Sequence, residues 1–382
     1  HRTKKDGTFY ARASTCKECG GAGMLYPSTK EIAGFKINPP DATWATAGGF
    51  STDKNKLRNI AARLKAKVAN KPNQRIDLAI EFITKVERLG AIETYLNSFV
   101  DGIKKRLINN VLRAEFNQCR TATGRLSSSS PNLQNMPRGD TFPVKRAFVS
   151  HFKNGSLIEF DFAQLEFRCA AFLADDETAK HEIETGFDVH TYTANYLTEH
   201  GQPTTRQEAK GRTFAPLYGS VSGTTAERAY NLHFTDKYQG IKRWHQELQD
   251  CAIRKGMVVL PSGREFDFSG TTRTRTGGAT NATKIKNYPV QSFATADLVQ
   301  LCIVHLFENL SKNGLVSRIV NTVHDSVLID CPPEEVAQVS DLIDELLSTD
   351  SINQLIQDFY DIKMTVPLEI EQKKGSNWLE MS

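Results

Sequence analysis

The spacing of hydrophobic positions changes several times along the chain. Residues 1–50 show no period; they are rich in Gly, Thr and Pro and predict irregular structure. Lys54–Ala69 reads as a long basic helical stretch, and from about Ile76 to Asn110 Leu, Ile and Phe recur at helical spacing, with Lys104, Lys105 and Arg106 together. Ser51 or Thr52 is placed as the N-cap of the first stretch. A loop, Thr123–Pro137, precedes a strand-like run, Ser156–Phe162, and a helical stretch from Gln164. Residues 176–260 predict mostly helix. At Ser317 the period becomes two: Arg318–Val323, a tight His324-Asp325 turn and Ser326–Cys331 read as a hairpin. A helical segment, Glu334–Phe359, and a short strand near Val366–Ile370 close the pattern. No internal repeat is apparent.

Charge sharpens this division. The 382 residues carry a net charge of +4, but residues 1–120 hold 22 Lys+Arg against 11 Asp+Glu. Residues 325–382 hold 3 against 13. A basic half suits a polyanion, because each neutralised phosphate releases counterions; a solvated helical face is the plainer alternative. The acidic end reads as surface. Apolar runs such as Leu298–Phe307 are short and interrupted, so no membrane span is expected, and no signal peptide is visible. The first residue is His1 rather than methionine, which predicts a longer parent chain.

Seven scattered cysteines argue against a disulfide framework and for a reducing compartment. Cys16 and Cys19 have the spacing of half a zinc knuckle. Zinc wants four ligands and no second close pair appears, so two free thiols are expected there rather than a zinc site.

Two aspartates stand where chemistry can use them. Asp161 lies at the end of the first strand-like run and Asp325 in the hairpin turn. Strands bearing them could lie side by side, and two carboxylates brought together repel unless a divalent cation bridges them. Two such ions roughly 3.5–4 Å apart activate an attacking hydroxyl and stabilise the leaving oxygen of a phosphoryl displacement. Taken alone, aspartates in turns are commonly structural.

The segment RQEAKGRTFAPLYG says more. Thr205 and Glu208 have capping-box spacing. Arg206, Lys210, Phe214 and Tyr218 recur every four residues; at about 100° per residue they share one helical face. Gly219 is placed as a C′ terminator, and Pro216 is expected to loosen the last turn. A face reading cation, cation, aromatic, aromatic suits a nucleoside triphosphate, with the cations on phosphates and the rings beside sugar and base. An exposed amphipathic helix is the bland alternative.

In order, TGRLSSSSPNLQN, DFAQLEFR (Asp161–Arg168), RQEAKGRTFAPLYG and VHDS (Val323–Ser326) resemble the motifs of family A DNA polymerases, most closely those of phage or viral members. Weaker agreement runs through DVH (Asp188–His190), NYPVQ (Asn287–Gln291) and GSNW (Gly375–Trp378), so the likeness extends from about residue 51 to the end. The resemblance implies an α+β right hand with an antiparallel palm sheet. Residues 51–120 would be the thumb, 121–175 and 287–382 the palm, and 176–286 the fingers. It implies template-directed extension of a primer 3′-hydroxyl with dNTPs. Asp161 and Asp325 would hold two Mg²⁺ ions with help from the Phe162 carbonyl. Arg206, Lys210 and His190 would contact the triphosphate, Lys210 also serving as general acid on pyrophosphate. Gln164 joins the nucleotide set. Glu166 would exclude a ribose 2′-hydroxyl, Phe214 would stack near the sugar, and Tyr218 would guard the templating position. Arg125, Gln291 and His324 would probe the minor groove at the primer end, where every correct pair presents the same acceptors. Asn132, Gln134, Asn135 and Asn287 complete the DNA-contacting set. Primer–template DNA and dNTPs are the implied partners of a monomer, with replisome or processivity partners as further candidates, in the cytoplasm, a bacterial host's if the chain is phage-encoded.

One departure stands out. The family's last motif usually reads His-Asp-Glu, and this chain has Ser326 in place of the Glu. His-Asp-Ser resembles single-subunit RNA polymerases, which makes primer-independent RNA synthesis the alternative enzyme; Glu166 and the TGRLSSSSPNLQN loop speak against it. A catalytically silent nucleic-acid-binding module is the alternative of another class, and the presence of both aspartates disfavours it.

Overall fold

A computed structural model describes residues 45–46, 49–50, 53–70, 73–137, 139 and 141–381. Cys16, Cys19, Ser51 and Thr52 lie outside the described residues. The chain divides into two compact units, residues 1–95 and 96–382.

In the first unit, helices Lys54–Asn70 and Gln74–Thr94 pack through Leu64, Ala79 and Ile83. Asp53 stands at the N-terminus of the first helix, its Oδ1 accepting from the Asn55 N–H at 2.9 Å. The Asn73 side chain caps the second by accepting from Arg75 and Ile76. Lys54, Arg58, Arg63, Lys65 and Lys67 remain exposed. The helical stretch expected to reach Asn110 ends at Lys104. Asn109 and Asn110 then take left-handed φ values of 51° and 60°, a conformation asparagine tolerates and a helix cannot continue through.

The second unit is built on a four-stranded sheet ordered Ile370–Gly375, Ser156–Phe162, Ser326–Cys331, Arg318–Val323, antiparallel throughout. Alternation decides its faces. Ile158, Phe160 and Phe162 enter the core with Val327, Ile329 and Cys331, while Glu159 and Asp161 point the other way. The last strand begins at Ile370 rather than near Val366. Val366 and Leu368 are buried outside the sheet, so their apolar character reflects packing rather than strand pairing. The expected single helix Glu334–Phe359 is two, Val336–Leu346 and Thr349–Tyr360, because the Ser348 side chain caps the second.

Behind the sheet runs an uninterrupted helix over 282–312, whose middle turns, Ser292–Leu298, are π-helical. Pro289 inside its first part hid its length from the sequence pattern. By length and composition this helix could cross a membrane, so the short run seen at Leu298–Phe307 belongs to a longer apolar element. Two-thirds of its apolar window is buried, with Phe293, Leu298, Cys302, Leu306 and Leu310 in the same core as the sheet. Its hydrophobicity is that of a core helix. Helices between Leu165 and Lys255 form a second core around Phe167, Leu197, Leu217, Tyr230 and Phe234.

Candidate active site

The site begins with strand register. Asp161 stands directly opposite Ser326, and the Phe162 N–H donates to the Asp325 carbonyl at 3.4 Å. The turn holding Asp325 therefore sits beside the end of the Asp161 strand. His324, at φ 59°, takes the positive φ that a two-residue hairpin turn demands. Asp161 is exposed and Asp325 half-buried. Both line one cleft of about 620 Å³, together with Lys210 from helix Arg206–Thr213.

The donor set suits a hard divalent cation: carboxylate oxygens on an accessible face, with no thiol or imidazole among the described residues lining the cleft. Glu371 lies directly across from Asp161 on the other neighbouring strand. Like charges placed so are destabilising unless a cation intervenes. Among the described residues no three His, Cys, Asp or Glu side chains converge as a ready-made cage. Two aspartates with coordination positions left for substrate and water match what Mg²⁺ prefers.

The segment carrying Lys210 departs in one respect from a uniform helical face. The capping box of Thr205 and Glu208 is present, but the α-helix stops at Thr213. Pro216 lacks an N–H, and its ring would meet the Arg212 carbonyl; Pro216–Tyr218 is a 3₁₀ turn instead. Gly219, at φ 77°, closes it, and a Cβ there would come within 2.7 Å of Lys286 Cδ. Lys210, Phe214 and Tyr218 nonetheless line a common cleft with Glu166. Phe214 stacks on Phe167 at 5.7 Å and meets the His190 ring edge-on at 5.3 Å. Arg206 turns aside: its Nε donates to Asp188 Oδ2 at 2.7 Å, and this bond holds the Asp188 carboxyl well below the usual carboxylate range. His190 is buried against Thr213 Oγ1 at 3.1 Å, and burial, reinforced by Arg206, lowers its pKa and favours the neutral ring.

A third group gathers beside the hairpin. Arg125 Nε donates to Thr295 Oγ1 at 2.7 Å, and its Nη2 pairs with Glu166. Burial raises the Glu166 carboxyl, with Arg125 opposing that shift. Arg125, Gln134 and His324 line one small hollow. Gln134 is fixed by donating to the Thr322 carbonyl at 3.1 Å, and Asn132 caps the short turn Leu133–Asn135. Gly124, at φ 74°, lets the Arg125 loop pass over Arg264, whose Nη1 would lie 2.7 Å from any Cβ there. Gln291 ends the first part of the long helix, its carbonyl accepting from Thr295 Oγ1, and Asn287 lies one turn before it with its buried Oδ1 unpartnered. Gln164, at φ 51°, stands at the N-cap position of helix Leu165–Leu173, with no capping bond from its side chain.

Glu159, Glu371, Lys145 and Lys373 also line the Asp161–Asp325 cleft and had not been singled out. Strand alternation would have found Glu159, two residues before Asp161; the others depend on pairings between distant segments.

The model of "DNA polymerase family A" matches residues 28–380. The chain is 30% identical over 303 residues to the thermostable DNA polymerase I of Thermus aquaticus, covering 75% of this chain and 34% of that protein. It is 25% identical to DNA polymerase I of Bacillus subtilis, covering 92% of this chain and 40% of that one. The chain thus spans between a third and two-fifths of the length of these two relatives. Among solved structures, the POL domain of Pol1 from M. smegmatis, in complex with DNA primer-template and dNTP, aligns with a TM-score of 0.65. That alignment has 22% identity and covers 88% of this chain and 58% of that one, a likeness of fold. With the family model matched almost from end to end by a chain of this α+β architecture, the chain belongs to DNA polymerase family A.

Proposed function

We propose that this chain is the polymerase module of a template-directed DNA polymerase, extending a primer 3′-hydroxyl with dNTPs and releasing pyrophosphate. One observation carries the reading: two aspartates from distant segments share a cleft with Lys210, on a face where neighbouring strands would otherwise oppose like charges. Asp161 and Asp325, with the Phe162 carbonyl, are the residues that would hold two Mg²⁺ ions, whose Lewis acidity activates an attacking hydroxyl and stabilises a leaving oxygen.

The remaining roles belong to the chain's own groups. Lys210, exposed between the two clefts, reaches the triphosphate and delivers a proton to departing pyrophosphate. Arg206 exchanges Asp188 for a phosphate, and neutral His190 supports Phe214 and hydrogen-bonds the phosphates. Glu166, with Gln164 at the same helix start, closes the space beside the sugar, and its pairing with Arg125 ties sugar selection to the primer end. Tyr218 stands at the templating position. Arg125, Gln134, Gln291 and His324 face the minor groove, with Asn132, Asn135 and Asn287 nearby. In this reading residues 51–120 form the thumb, 121–175 and 287–382 the palm and 176–286 the fingers. The described cysteines are free thiols, which fits a reducing, cytoplasmic setting.

Primer extension with Mg²⁺ tests the proposal. Template-coded elongation with deoxynucleotides is expected. No incorporation would favour a silent binding module, and primer-independent synthesis from ribonucleotides would favour the RNA polymerase that Ser326 resembles.

A further inference from the structure

Where the family's usual glutamate would follow Asp325, this chain has a serine, and that serine is not idle. Ser326 Oγ lies 3.2 Å from Glu159 Oε1 and 3.2 Å from the Val323 carbonyl oxygen. Glu159 precedes Asp161 by two residues and so projects from the same sheet face, about 6.5 Å back along the strand. Ser326 is the residue directly opposite Asp161. A Glu159 carboxylate drawn to Ser326 is therefore drawn forward, towards the aspartates. Glu159 is half-buried and lines the same cleft. Lys373 stands across from it, but its ammonium bonds the Met381 carbonyl at 3.3 Å. Among the described residues no Lys or Arg pairs with Glu159, and its hydrogen-bond partner is a neutral hydroxyl. Glu159 thus lies in the cleft that Asp161 and Asp325 line, on the same sheet face as Asp161, with a neutral hydroxyl rather than a Lys or Arg as its hydrogen-bond partner.

The geometry points to Glu159 as a positioning carboxylate of the cation site, held by Ser326 and so supplying from the neighbouring strand the negative charge that position 326 lacks. The inference rests on the polymerase reading. Among the described residues no three carboxylates converge as direct ligands, so the role assigned to Glu159 is on water bound to the cation rather than on the cation itself. Outer partners of this kind orient the coordinated oxygens, and their loss commonly weakens metal affinity by about 10–100-fold.

The test measures Mn²⁺ binding by electron paramagnetic resonance. The protein is bound to a primer–template whose primer lacks its 3′-hydroxyl, with the complementary dNTP present, so that no turnover intervenes. Glu159→Gln, which keeps shape and removes charge, is expected to weaken Mn²⁺ about tenfold, with primer–template affinity and melting temperature unchanged. Ser326→Ala is expected to weaken it about threefold, the scale of one lost hydrogen bond. The double variant should be no weaker than Glu159→Gln, since the serine acts through the glutamate. Exchanging the two, Glu159→Ser with Ser326→Glu, should bring affinity back to within about threefold of the parent. Mn²⁺ affinity within twofold of the parent in Glu159→Gln, or losses that multiply in the double variant, would overturn the inference. Asp161→Asn is the control that separates this from the underlying reading: undiminished Mn²⁺ binding there would remove the cation site itself, whatever Glu159 does.

Discussion

The sheet face bearing Asp161 and Asp325 and the Arg206–Tyr218 segment both offer charge to the same cleft, but they hold it differently. The aspartates are fixed by backbone: strand pairing on both sides of Asp161 and a two-residue turn at Asp325 leave little freedom. The cations of the helix are fixed by side chains. Arg206 is tied to Asp188 through groups half open to solvent, and Lys210 reaches out from an exposed turn. Two carboxylates that must share small ions need positions set to fractions of an ångström, and a sheet supplies them. A triphosphate that must enter and leave is better met by exchangeable contacts on an element able to close and reopen.

Substitutions can break this contrast, beginning with the fixed side. Asp325→Asn should reduce incorporation by about a thousandfold or more, since several kcal/mol of charge stabilisation is lost, while duplex affinity stays nearly intact. Single-turnover primer extension beside a DNA-binding titration measures both; equal loss of both would undermine the cation assignment. On the exchangeable side, Lys210→Ala should cost about a hundredfold in the chemical step, the lower range for a positioned proton donor. A loss confined to KM would make Lys210 a phosphate anchor only.

Glu166→Ala should raise ribonucleotide use by about ten- to a hundredfold, the span expected when a pocket gains room for one small group. Competition between dNTP and rNTP reads this, and unchanged discrimination would remove Glu166 as the gate. Asp188→Asn should matter least. The Asp188 carboxyl is lowered in the folded protein, so the stability it adds is present above the unfolded carboxylate pKa of about 3.9 and is lost as pH falls below it. With both partners about half open to solvent, the difference between parent and variant melting curves at neutral pH should stay under about 1 kcal/mol and vanish in strong acid. Asp188 also caps helix Val189–Glu199 by accepting from the His190 and Thr191 N–H groups, a role asparagine can keep, so a larger difference would mean that the Arg206 contact is anchored rather than exchangeable.

The same contrast explains what could be read from the chain. The strand Ser156–Phe162 and the hairpin around His324 and Asp325 were legible because period two and a turn signal are local. The capping box at Thr205 was legible for the same reason. The break after Thr213 was visible only as a loosening at Pro216, because how a proline resolves depends on what packs beneath it. The 282–312 helix was missed: Pro289 advertises an end, yet the helix runs on through it and through the π-helical turns that follow. The pairings Arg125–Glu166 and Ser326–Glu159 span 41 and 167 residues and exist only once distant segments have packed together.

The central claim is that Asp161 and Asp325 jointly hold divalent cations at the nucleotide. Anomalous diffraction from crystals grown with Mn²⁺, a terminated primer–template and the matching dNTP addresses it directly. The account predicts anomalous peaks within about 2.0–2.3 Å of carboxylate oxygens from both aspartates, bridged to the triphosphate. Peaks touching only one aspartate, or cations bound to the triphosphate with both side chains turned away, would contradict it.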